Sequence, residues 1–149
     1  MLFTAPEVDM LNPYYITGLI EGEGYLGISI SQAHGRNLKV GVQVSLNFGI
    51  SMNIRELGLI KEIKDYFDCG TLELQKNGIV SYRVRSFDDV RNKIVPFFDK
   101  YKFHGGKAED LKILKIIIEL MDKKEHLTVE GVEAIKQLRD KMHIYKYTY

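Results

Sequence analysis

Hydrophobic residues alternate with polar ones in four separate stretches of this chain, and recur at helical spacing through much of the rest. Leu26, Ile28 and Ile30 alternate with Gly27, Ser29 and Ser31. Val40, Val42, Val44, Leu46 and Phe48 alternate with Gly41, Gln43, Ser45, Asn47 and Gly49. A period of two marks a strand with one apolar face, and the Gly35-Arg36-Asn37 break between the two runs predicts a hairpin. Leu72 and Leu74 alternate with Glu73 and Gln75, and Tyr82 and Val84 with Ser81, Arg83 and Arg85. These two strands flank Lys76-Asn77-Gly78, and Asn-Gly favours a tight hairpin turn.

The helices are framed by caps. Asn12 followed by Pro13 suits a helix start, because the amide side chain can accept from an orphan N–H and proline lacks one at a position where none is needed. The run Tyr14 to Glu23 then reads as a helix ended by Gly24. Ile54, Leu57, Ile60, Ile63, Tyr66 and Phe67 predict a second helix over 53–67, closed by Asp68, Cys69 and Gly70. Ser86 and Asp88 offer caps for a third helix reaching about Lys100, and further helices are expected over Lys107 to Met121 and Val129 to Met142. The order αββαββα followed by helices predicts an α+β fold in a single domain spanning residues 1–149. Helix and hairpin occur twice, but the sequence around the first helix does not recur.

Composition narrows the setting. A chain of 149 residues with 45% hydrophobic content suits a soluble globular domain. The single Cys69 cannot bridge within the chain, and no stretch has the apolar length of a signal peptide or membrane span. An intracellular, soluble protein with no membrane association is therefore expected. Abundant Ile, Lys and Tyr with no Trp suit an AT-rich organellar gene, in a mitochondrion or chloroplast. The net charge of +1 does not decide whether nucleic acid is a partner, because one face can be basic while the rest is acidic.

The first helix carries the candidate chemistry, in Ile16-Thr17-Gly18-Leu19-Ile20-Glu21-Gly22-Glu23-Gly24. Gly18 and Gly22 lie four apart on one face. Glycine inside a helix costs about 0.5–1 kcal/mol relative to alanine, so a pair in register suggests close approach by a second helix. Glu21 and Glu23 stand where the helix dipole disfavours carboxylates by about 0.3–1 kcal/mol each, which calls for a compensating positive charge. Magnesium would supply it, being a hard cation that takes carboxylate, carbonyl and phosphate oxygens. Two such helices packed on their glycine faces would bring two acids together, as a metal site or a proton-sharing pair. The plainer reading is a buried helix with packing glycines and solvated glutamates.

Ile16 to Gly24 resembles the LAGLIDADG nonapeptide, with Asn12-Pro13-Tyr14-Tyr15 before it and Tyr25-Leu26-Gly27-Ile28 after it similar to the usual context in organellar homing endonucleases. The resemblance covers roughly Asn12 to Leu120. It implies the LAGLIDADG homing-endonuclease fold, an αββαββα core with a saddle-shaped antiparallel sheet and additional C-terminal helices. It implies that Glu23 binds the catalytic metal with help from the Gly22 carbonyl, and that Glu21 is structural at the helix end. Gly18, Gly22 and Glu21 are thereby placed at a dimer interface. Mg2+ or Mn2+ is the implied cofactor, with Ca2+ expected to support binding without cleavage. Family members commonly carry a lysine near the scissile phosphates in the region of Tyr101-Lys102-Phe103-His104-Gly105-Gly106-Lys107, and Lys107 is the better match; a solvated lysine is its plainer reading. They often carry a polar residue where this chain has Met52, and Ser51, Asn53 or Arg55 are the candidates to replace it.

The strands offer a surface for double-stranded DNA. Between Glu23 and Glu56 there is no Asp or Glu. The polar faces bring Ser29, Ser31, Gln43, Ser45, Asn47 and Ser51, with Arg36 and Lys39 near the first turn, and Gln75, Lys76, Ser81, Arg83 and Arg85 from the second hairpin. Gln and Asn match adenine edges, and Arg matches guanine edges or phosphates. Any sheet with one face packed on helices also shows polar residues outside. One nonapeptide in the chain and two glycines asking for a partner helix predict a homodimer on a long pseudo-palindromic site. The leading function is a metal-dependent, intron-encoded type of DNA homing endonuclease. The alternatives are an RNA-binding maturase for intron splicing and a catalytically decayed sequence-specific DNA-binding protein.

Overall fold

The computed structural model of the chain describes residues 10–33 and 40–142. Its elements are α1 (Pro13–Glu23), β1 (Gly24–Gln32), β2 (Val42–Asn53), a 3-10 turn (Ile54–Glu56), α2 (Leu57–Phe67), β3 (Thr71–Leu74) and β4 (Ile79–Val84). There follow α3 (Phe87–Asp89), a π-helical turn (Val90–Ile94), α4 (Val95–Lys100), α5 (Gly106–Asp122), a 3-10 turn (Glu125–Leu127) and α6 (Val129–Asp140). The strands form one antiparallel sheet in the order β1-β2-β4-β3. Both hairpins are therefore present, and the long strand β2 joins them by pairing with β4.

Local chemistry sets the boundaries. The Asn12 side chain accepts from the Tyr14 N–H at 2.8 Å, with Pro13 in the first turn of α1. Asp68 closes α2 in the left-handed conformation, with φ 54°, and the Lys93 ammonium donates to its carbonyl at 2.7 Å. Gly78 has φ 77°, a conformation that glycine adopts without steric cost, and it completes the β3–β4 turn.

Alternation places Leu26, Val44, Leu46, Phe48, Ile50, Val80, Tyr82 and Val84 on one sheet face, buried beneath the helices. Ile16 and Ile20 of α1, Ile60 and Ile63 of α2, and Leu114 and Ile117 of α5 complete one continuous cluster. An aromatic group lies within it, where Phe98 stacks on Phe103 at 4.3 Å between ring centroids and Phe48 meets Phe67 edge-on at 5.6 Å.

Three boundaries differ from the periodic pattern. The ladder carries β2 on to Asn53, which pairs with Ile79, so the second helix begins at Leu57 after a 3-10 turn and Ile54 lies off its buried face. Leu74 ends the edge strand and is 65% exposed, although Leu72 packs on the core. The third helix is interrupted by a π turn in which the Val95 N–H donates to the Val90 carbonyl. Pro96 follows and has no N–H to continue the ordinary four-residue spacing, so a wider turn precedes it.

Candidate nucleic-acid interface and cleavage site

Helix α1 presents three faces with different tasks. Ile16 and Ile20 are buried in the core. A second face, Tyr14, Thr17 and Glu21, is fastened to the segment before α5. The Tyr14 ring meets Tyr101 edge-on at 5.2 Å, and the buried Thr17 hydroxyl donates to the Tyr101 carbonyl at 2.8 Å. The Glu21 carboxylate accepts from the His104 N–H at 3.0 Å and from the Gly105 N–H at 2.8 Å. The Lys107 ammonium returns across the same junction and donates to the Glu21 carbonyl at 2.8 Å.

This arrangement supplies the positive partner that Glu21 needs. Gly105 is the N-cap of α5 and provides no side-chain cap, so the carboxylate satisfies N–H groups at the start of that helix, where the dipole favours an anion. Lys107 meanwhile neutralises one of the last carbonyls of α1. Glu21 is thus committed within its own chain, whereas its assignment above was to a dimer interface. Glu23, two residues on, is exposed and makes no hydrogen bond or ion pair among the described residues.

The donor set around Glu23 fits a hard divalent cation only in part. Its free carboxylate and the Gly22 carbonyl, one of the last four of α1 and so without a helical donor, are oxygen ligands of the right type. Among the described residues no group of three or more His, Cys, Asp or Glu side chains is placed to hold a metal. A cation held here would need further oxygens from a phosphate, water or a second such helix.

The third face of α1 is open. Gly18 and Gly22 are exposed, and a Cβ at either would meet nothing within 4 Å. Tyr14 and Tyr15 beside them are 61% and 51% exposed. Among the described residues no close approach explains the two glycines.

The polar sheet face has the composition the alternation predicts. In the ladder Ser29 lies opposite Ser45 and Ser31 opposite Gln43, and the Asn47 amide donates to the Ser29 hydroxyl at 2.6 Å. Gln75, Lys76 and Arg85 are exposed, as are Ser29, Ser31 and Ser51. Ser81 is the exception: it is fully buried, bonded to the Ser51 hydroxyl at 2.7 Å and to the Gln75 amide at 3.3 Å. Its place on a contact surface is corrected accordingly, because a small side chain on the inner strand β4 is enclosed by its partners Ser51 and Gln75. Arg83 pairs with Glu73 at 3.4 Å, and its Nε is buried without a partner. Arg36 and Lys39 lie outside the described residues.

Two further positions bear on the site. Met52 continues the Phe48–Ile50 alternation and packs against the hydrophobic cluster, so it offers nothing polar. Its candidate replacements are engaged: Ser51 with Ser81, the Asn53 side chain with the Arg55 N–H at 3.0 Å, and Arg55 with Glu56 at 3.2 Å. Tyr25, just after Glu23, lies over Gly49, where a Cβ would stand 2.5 Å from the phenol oxygen. Sequence reasoning passed over Tyr25, Thr17, Gly105 and the backbone of His104. The Thr17–Glu21 spacing of four, on a face distinct from that of the glycines, was the available clue.

A family model described as LAGLIDADG endonuclease matches residues 16–118. The chain is 34% identical over 131 residues to Probable intron-encoded endonuclease 2 of Neurospora crassa, covering 87% of this chain and 28% of that protein. It is 32% identical over 136 residues to Probable intron-encoded endonuclease 3 of the same organism, covering 90% and 25%. A mitochondrial protein of Saccharomyces cerevisiae is 23% identical over 163 aligned positions, covering 93% and 32%. The chain thus spans a quarter to a third of the length of these curated relatives. Among solved structures, I-SmaMI bound to uncleaved DNA target in the presence of calcium ions is similar with a TM-score of 0.87 and 30% identity, covering 94% of this chain and 47% of that one. The homing endonuclease I-TnaI is similar with a TM-score of 0.83 and 28% identity, covering 91% of this chain and 90% of that one.

Proposed function

Because the chain belongs to the LAGLIDADG endonuclease family, we propose that it is a site-specific homing endonuclease that hydrolyses phosphodiesters of double-stranded DNA as a homodimer with a divalent metal. The observation that carries this reading is the end of α1, where an exposed Glu23, unpartnered among the described residues, adjoins a glycine face that no described residue covers. Pairing two copies through Gly18 and Gly22 brings two Glu23 carboxylates together, and the twofold axis presents the same sheet face to each half of a pseudo-palindromic site. Residues Ser29, Ser31, Gln43, Ser45, Asn47, Ser51, Gln75, Lys76, Arg83 and Arg85 read or position the duplex in this arrangement, and Arg36 and Lys39, outside the described residues, are candidates from the sequence alone.

Glu23 and the Gly22 carbonyl would hold Mg2+ or Mn2+ together with phosphate oxygens. Such an ion, when bound, activates water and neutralises charge on the attacking and leaving oxygens. Lys107 stands beside the end of α1, and its remaining N–H groups can donate to a scissile phosphate. The I-SmaMI complex with calcium and uncleaved DNA supports a binding step separable from cutting. An organellar setting agrees with the mitochondrial relative. Among the described residues no helix is long and apolar enough to cross a membrane.

One observation favours a second reading. Met52 packs on the core and brings no polar group to this strand end, while Ser51, Asn53 and Arg55 are each already bonded through one atom, as in a DNA-binding protein whose catalysis has decayed. Selection of random duplexes in calcium, followed by magnesium on the recovered site, separates the two. Cleavage near the centre of a symmetric site supports the nuclease; tight, specific binding without cleavage in magnesium or manganese supports the decayed form. Recovery of structured RNA in preference to duplex DNA would overturn both in favour of a splicing role. The half-length match to I-SmaMI also admits a second unit on one polypeptide, which a monomeric complex in sedimentation would reveal.

A further inference from the structure

Glu21 occupies the first acidic position of the nonapeptide, yet it faces neither the open glycine surface nor the unpartnered Glu23. We propose that Glu21 is a positioning residue for Lys107: it locks the start of α5 to the end of α1 and so fixes the ammonium of Lys107 relative to the Glu23 carboxylate. This rests on the nuclease reading above.

The junction is built from both sides. Both carboxylate oxygens of Glu21 accept from the His104 N–H, at 3.0 and 3.1 Å, and Oε1 also accepts from the Gly105 N–H at 2.8 Å. The Lys107 ammonium closes the loop on the Glu21 carbonyl at 2.8 Å. Side chain and backbone of one residue thus grip two points of the same short segment, which removes freedom that a single contact would leave. Gly105 completes the fit, because a Cβ there would stand 3.2 Å from Glu21 Oε1, tight enough to push the carboxylate away. The Thr17 hydroxyl on the Tyr101 carbonyl, one helical turn earlier, holds the other end of the segment.

The geometry also accounts for the choice of an acid. The two groups that it serves are both donors, His104 N–H and Gly105 N–H, so a carboxylate with two acceptor oxygens satisfies them in any flip. A glutamine side chain offers one oxygen and one N–H donor. Lysine has three N–H donors, and spending one on the Glu21 carbonyl orients the other two. Long lysine side chains are otherwise free to sample many rotamers. A lysine tethered at its tip to the residue two positions before Glu23 moves with the helix that carries the carboxylate.

The test compares the full chain with Glu21→Gln, Lys107→Met and the double variant. Amine labelling read by mass spectrometry reports on the lysine without any need for DNA: in Glu21→Gln, modification of Lys107 should rise severalfold while that of Lys102 stays unchanged. On the selected duplex, single-turnover cleavage by Glu21→Gln should fall by about 10- to 100-fold, the scale expected for misplacement by an ångström. The DNA concentration for half-binding in calcium and the magnesium midpoint should each stay within about twofold, as for a residue acting only on the chemical step. The double variant should cut no more slowly than Lys107→Met, because two residues acting through one group are non-additive. Gly105→Ala should act in the same direction, and it serves if Glu21→Gln does not fold. Unchanged Lys107 labelling, multiplicative losses in the double variant or a shifted magnesium midpoint would each overturn the assignment. If the parent cuts no duplex, the nuclease reading fails, and the labelling result still decides whether Glu21 fixes Lys107.

Discussion

At the scale of single residues, charge placement separates binding from cutting. Glu23→Gln keeps the size of the side chain and removes the charge that a hard cation needs. Binding to the selected site in calcium should persist while magnesium-dependent cleavage disappears, as gel shift and cleavage assays on one duplex would show; undiminished cutting would sink Glu23 as a ligand. Glu73 acts in the other direction. It sits on the polar sheet face, paired with Arg83 at 3.4 Å, where it holds back a guanidinium and repels phosphate. Glu73→Gln should raise affinity for random and selected duplexes alike by about threefold, the scale of an exposed ion pair, and so leave the ratio between them unchanged. A fall in affinity confined to one base position would show instead that Glu73 accepts from a cytosine.

At the scale of elements, α1 divides its surface among the core, the segment before α5 and an exposed glycine face. Gly18→Leu probes the last of these alone, since a Cβ at Gly18 meets nothing within 4 Å among the described residues. Thermal stability of the unassociated chain should hold or rise slightly, because a helical glycine is replaced by a better helix former, whereas close helix pairing should be blocked. Sedimentation should shift from dimer to monomer with loss of specific binding, and a profile identical to that of the parent would count against pairing through this face. The sheet shows a similar division. Its buried face ties β1, β2 and β4 to the helices, and the polar side chains of the other face are held in place by the Ser29–Asn47 and Ser51–Ser81–Gln75 hydrogen bonds.

At the scale of the whole molecule, stability depends on a core that satisfies the phenol it encloses. Tyr82 is fully buried and donates to the Cys69 carbonyl at 2.7 Å. Burial pushes its phenol well above the usual 10.0, with Cys69 adding to the shift. The folded state therefore keeps a proton that the unfolded chain releases, so this contribution is complete below pH 10.0 and is lost as pH rises above it. Denaturation midpoints should fall steeply on that alkaline limb. Tyr82→Phe should flatten the limb while costing about 1 kcal/mol at neutral pH for the lost hydrogen bond. An alkaline limb of equal slope in the variant would remove Tyr82 as its cause.

Much of this molecule was legible in the chain itself. The period-two runs around Ile28, Leu46 and Val84, the Asn12–Pro13 cap and the Asn77-Gly78 turn depend on neighbours a few residues away, and local sterics and hydrogen bonding act over that range. The same locality placed Glu23 at a helix end and the serines, Gln43 and Asn47 on one face. Tertiary structure decided what lies beyond it. Glu21 reads as a strained acid or an interface residue until the chain returns 83 and 84 residues later with the N–H groups of His104 and Gly105. Ser81 reads as exposed until the order β1-β2-β4-β3 surrounds it with Ser51 and Gln75. Periodicity tells which way a side chain points; only the packing of distant segments, driven by burial of the shared core, determines what it meets there.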